Sequence, residues 1–131
     1  MTSKSLQILG IEKLPKLFVP DPHAAKKFIE FFTAQIRNAN TRKAYAHAVQ
    51  EFGLWCELNG FHELQDIEPV HIAAYIETLQ TRLAAPSVKQ HLAAIRMLFN
   101  WLVVGQVIAV NPASPVRGPK HTTKKGKTPV L

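Results

Sequence analysis

Residues 40–60 read NTRKAYAHAVQEFGLWCELNG. Tyr45, Ala48, Val49, Phe52, Trp55, Cys56 and Leu58 recur at close to helical spacing and predict a core-facing stripe. Arg42, Lys43, His47 and Gln50 fall on the opposite side. Asn40 or Thr41 is the expected cap for the first free amides, and Asn59-Gly60 the expected stop. Arg42 and Lys43 run against the helix dipole, which disfavours a cation at an N-terminus by roughly 0.3–1 kcal/mol at low salt. A helix start with free amides and basic side chains is, however, suited to phosphate.

Helices are expected on either side of this stretch. Asp21-Pro22 pairs a capping side chain with a proline at the first helical position. The helix it opens is predicted to run to about Arg37, with Phe28, Phe31, Phe32 and Ile36 facing inward. Glu68-Pro69 opens a third helix to about Arg82, with Ile72, Tyr75, Ile76, Leu79 and Leu83 on its apolar side. Pro86-Ser87 opens a fourth, with Val88, His91, Leu92, Ile95, Leu98, Phe99 and Leu102 spaced for burial before Gly105. Lys89, Ala93 and Arg96 lie at i, i+4 and i+7 on its other side, with Gln90 and Ala94 beside them. That low, polar ridge would let a helix enter the major groove, about 12 Å wide, without bulky side chains holding it off. No strand pattern interrupts residues 21–105.

The charge balance agrees. Lys and Arg number 16 against 9 acidic residues, a net charge of +7, and the isoelectric point is near 9.8. Both favour a polyanionic partner. No apolar run approaches the roughly 18 residues of a membrane span. A single cysteine, Cys56, fits a reducing cytoplasm. The six histidines have no metal-ligand spacing, no phosphate-cradling glycine loop is present, and no nucleophile has an evident base, so neither a metal nor a cofactor is expected. Residues 1–20 read as a flexible arm, 21–113 as the helical domain, and 114–131 as a basic linker followed, at 128–131, by the expected first strand of a further domain. Arg117, Lys120, Lys124 and Lys125 in that linker are candidate phosphate contacts.

Four segments in register resemble the N-terminal core-binding domain of the tyrosine recombinases, the phage integrase family. They are residues 40–60, IEPVHIAAYIETL at 67–79, APSVKQHLAAIRMLFNWLVVGQVIAVNPA at 85–113, and the exit VRGPK with GKTPVL. Glu68 departs from the Ser or Thr usual at its position and weakens the expected cap. The resemblance implies an all-α fold, an orthogonal bundle of four main helices of SAM-like type. It implies binding to duplex DNA as one half of a clamp, with the second and fourth helices at the major groove. Carried over by position, the DNA-facing residues are Asn40, Thr41, Arg42, Lys43 and His47, with Ser87, Lys89, Gln90 and Arg96. It also implies other recombinase protomers as partners. Catalysis is expected to reside in a C-terminal domain whose first strand is expected at 128–131, so the chain itself is expected not to be an enzyme. The alternative reading is a SAM-like protein-interaction module, whose support would be an exposed Phe28–Phe32 cluster.

Overall fold

A computed structural model of the chain describes residues 15–120. These residues are all-helical: α1 (Pro22–Glu30), α2 (Ala39–Leu58), α3 (Pro69–Gln80) and α4 (Ala85–Val104). Short 3-10 turns at Lys16–Phe18 and Leu64–Asp66 supplement them. α4 packs against α1, α2 and α3, and its contact with α2 is the most extensive between helices.

α1 begins as its sequence dictates. Asp21 is extended, and its carboxylate accepts the Ala24 amide at 2.8 Å. Its end differs from expectation. Regular α-helix stops at Glu30, a π-helical turn spans Phe31–Gln35, and Ile36 is extended. A wider turn rotates successive side chains less per residue. Two adjacent phenylalanines therefore both reach the interior, where Phe31 and Phe32 meet edge to face at 5.0 Å. Both are fully buried, as is Phe28.

α2 starts earlier than expected. Its cap is Asn38, not Asn40 or Thr41: the Asn38 carboxamide accepts the Thr41 amide at 3.0 Å. Ala46, Ala48, Val49, Phe52, Gly53 and Cys56 are its buried residues. Tyr45 and Trp55 are only partly buried, and Leu58, expected inside, is 85% exposed. The helix ends at Asn59, and Gly60 adopts a φ of 84°, the left-handed conformation that favours glycine at this position. Burial pushes the Cys56 thiol up to about 12, so this cysteine behaves as a packed apolar group.

Glu68 has a partner that composition did not suggest. Its backbone amide donates to Nδ1 of His71 at 3.0 Å, so the α3 start is held by the histidine at N3. α3 ends at Gln80, slightly short of the expected Arg82, where the Thr81 hydroxyl donates to the Thr78 carbonyl at 2.7 Å.

Two expected boundaries shift. Leu17 and Phe18, at the end of the expected arm, are buried in the core, while residues 1–14 of that arm lie outside the described residues. Phe18 stacks on Phe28 at 5.2 Å and touches Phe52 and Phe99. Gly53 makes room for this turn, since a Cβ there would lie 2.7 Å from Pro15 Cβ. The Lys16 amide adds a bond to the Glu57 carboxylate at 3.0 Å. At the other end Ala113 and Val116 are buried, so packing continues past the expected limit at 113.

Candidate nucleic-acid interface

The exposed polar residues converge where α2 meets α4. The N-terminal half of α2 presents Asn40, Thr41, Lys43 and His47, all exposed. Lys43 and His47 are one turn apart and share a face. On α4, Ser87, Lys89 and Gln90 are exposed, and Ser87 lies one turn from both Gln90 and His91. The rings of His47 and His91 meet edge to face at 6.1 Å, which joins the two helical faces. Glu51 pairs with His47 Nε2 at 3.1 Å and accepts from Arg82 Nη2 at 3.0 Å.

Two expected members of this surface are engaged elsewhere. Arg42 does not stand free on the polar side of α2. Its Nε donates to the Phe32 carbonyl at 2.8 Å, and its Nη2 to Ile36 at 3.0 Å and Arg37 at 3.5 Å. It thus satisfies carbonyls left open in the π-helical turn and the connection that follow α1. Arg96 is half-buried too. Its Nε donates to the Ala113 carbonyl at 3.3 Å and its Nη2 to the Val116 carbonyl.

The ridge of Lys89, Ala93 and Arg96 is therefore divided. Its Arg96 end is occupied by the chain leaving α4, and Ala94, expected on the groove-facing ridge, is fully buried. Farther along, the exit segment reaches the Lys89 end. A Cβ on Gly118 would lie 3.4 Å from Leu92 Cδ2 and 3.7 Å from Lys89 Cγ. Arg117 and Lys120 flank that approach and are exposed. Lys124 and Lys125 lie outside the described residues.

The family model described as phage integrase, N-terminal SAM-like domain, matches residues 25–108. The chain belongs to that family. Among its relatives, tyrosine recombinase XerC of Xylella fastidiosa (strain M23) is 30% identical over 88 residues, 66% of this chain and 30% of that protein. A tyrosine recombinase of Pseudothermotoga lettingae is 31% identical over 84 residues, 62% of this chain and 29% of that protein. The chain thus spans about 30% of the length of these curated relatives. No solved structure matches it. No helix among the described residues is long and apolar enough to cross a membrane.

Two features of this integrase-family domain escape the linear reading. The exit segment folds back on α4, a contact between distant residues with no periodic signature. His91 is the other. Its spacing predicts burial, and it is buried, yet its Nδ1 has no hydrogen-bond partner.

Burial holds the His91 pKa below its ordinary 6.5; Glu51 opposes that shift, while His47 and Arg82 reinforce it. The unfolded chain therefore binds this proton more readily than the folded one. The stabilisation is complete above about pH 6.5 and falls as the pH drops below it. Urea midpoints measured from neutral to mildly acidic pH should decline in the parent chain, and His91→Leu should flatten part of that decline. Parallel curves would refute the assignment.

Proposed function

We propose that this domain binds duplex DNA as the N-terminal half of the clamp of a site-specific tyrosine recombinase. The observation that carries the reading is the meeting of two polar helix starts, Asn40, Thr41 and Lys43 on α2 with Ser87, Lys89 and Gln90 on α4, across His47 and His91. Lys43, Lys89, Arg117 and Lys120 are exposed cations suited to phosphates. Ser87 and Gln90 reach bases if α4 enters the groove, with Gln suited to the adenine edge. His47 borders the same surface. Lys124 and Lys125 extend the phosphate contacts along the exit.

The family supports the reading, since the relatives are named as tyrosine recombinases. Strand cleavage and rejoining would belong to the remainder of such a protein, and this chain supplies grip and orientation. Further protomers of the recombinase are its protein partners on a recombination site, and the cytoplasm is its place of action. The reading as a protein-interaction module has less support, because Phe28, Phe31 and Phe32 are all fully buried.

Titration of a labelled duplex at several salt concentrations tests the proposal. Four to six phosphate contacts give a log–log slope of about −4 to −5. Lys43→Ala and Lys89→Ala should each reduce that slope by about 0.9 and weaken binding to all sequences alike. Thermal stability should change little, because both side chains are exposed. Slopes unchanged in both variants would refute this interface.

A further inference from the structure

The chain leaving α4 is held by an ordered set of bonds. Besides the two carbonyls bound by the Arg96 guanidinium, Asn111 Nδ2 donates to the Arg96 carbonyl at 3.1 Å. Asn111 Oδ1 accepts the Ala113 amide at 2.8 Å, and the Val116 amide donates to the Ala113 carbonyl at 3.1 Å. The Ala113 and Val116 side chains are buried beneath these bonds. Residues 113 and 116 thus lie beside Arg96, while residue 118 lies beside Leu92 and Lys89. The exit segment runs antiparallel to α4, toward the end that carries Ser87, Lys89 and Gln90.

We propose that Arg96 is a positioning residue for DNA binding: its guanidinium latches the exit segment along α4, so that Arg117 and Lys120 join Lys89 in one basic surface. This rests on the DNA-binding reading above. The physical reason lies in the fork of donors. A planar guanidinium reaches two carbonyls at once and is always charged, so it fixes direction as well as proximity. Without it, residues 113–120 become a flexible connection. Arg117 and Lys120 then spend less time beside Lys89, and the ordering needed for their phosphate contacts falls on the binding step.

Two readouts separate the latch from the DNA reading. The first uses no DNA. Limited trypsin digestion should cut after Arg117 slowly in the unaltered 131-residue chain and at least several-fold faster in Arg96→Ala, with Arg96→Lys between them. Equal rates would show that no latch exists.

The second is the salt slope with a fluorescein-labelled duplex of arbitrary sequence. Arg117→Ala/Lys120→Ala removes two contacts and should reduce the slope by about 1.8. Arg96→Ala should reproduce much of that loss in the parent and add nothing to the doubly substituted chain. A further loss of about 0.9 in both backgrounds would place Arg96 itself on a phosphate and overturn the proposal. So would an unchanged slope with faster cleavage, which is a purely structural latch. If alanine at 96 does not fold, Arg96→Lys is carried through the same cycle. An unaltered chain with no salt-dependent duplex binding overturns the DNA reading and Arg96's part in it, while the digestion alone decides the latch.

Discussion

Replacing Phe18 by alanine is expected to lower the unfolding free energy by about 3–5 kcal/mol, the range for a fully buried phenylalanine. The ring has no exposed surface and lies among Phe28, Phe52 and Phe99, which come from three different helices. Its removal deletes the transfer term and leaves a cavity, because Phe28, Phe52 and Phe99 are tied to separate backbones and close in only partly. At this chain length the corresponding fall in melting temperature is about 10–20 °C. A domain of ordinary stability, about 5–15 kcal/mol, loses a large fraction of it. Denaturant unfolding measures the change directly. A loss below about 1 kcal/mol would mean that the entry turn is peripheral, as a surface substitution would be.

Arg42→Ala is expected to destabilise the domain by about 2 kcal/mol net, although the residue is a cation at the wrong end of a helix. Removing it relieves roughly 0.3–1 kcal/mol of unfavourable dipole interaction. Against that stands the loss of bonds from a charged donor, each worth about 1.5–3 kcal/mol when well formed. Three carbonyls share this guanidinium, and the Phe32 and Ile36 bonds are the shorter ones. The site is only half-buried, so water replaces part of what is lost. Lys43, one residue on and exposed, supplies the contrast. Lys43→Ala should leave stability unchanged or raise it slightly, because only the dipole effect is removed. Thermal unfolding of the two variants checks the sign as well as the size. Equal effects would show that Arg42 is an ordinary surface cation.

These two residues mark the limits of the linear reading. The Asp21-Pro22 start, the Asn59-Gly60 stop and the Glu68-Pro69 start are signals carried by adjacent residues, and the helices begin or end beside them. The apolar periodicities of α3 and α4 likewise marked their buried faces. Phe18 carried no such signal, since it sits in a proline-flanked turn too short to show a period. Gly53 was its distant counterpart, a helix-interior glycine disfavoured by about 1 kcal/mol relative to alanine and placed where the turn approaches the helix. Neither residue names the other along the chain.

The candidate interface divides in the same way. Periodicity placed Lys43, Lys89, Gln90, Arg42 and Arg96 on polar faces, because a helix fixes which side chains share a side. It could not distinguish a guanidinium facing water from one that reaches back to a carbonyl. Arg42 and Arg96 have long stems, and their acceptors lie 5 to 20 positions away in sequence. Helix order, caps, buried stripes and excess positive charge are local or additive properties, so the amino-acid order was enough to establish them. Which cations remain free, and where the basic exit segment runs, depend on pairing between distant carbonyls and side chains. Only the packed chain decided those.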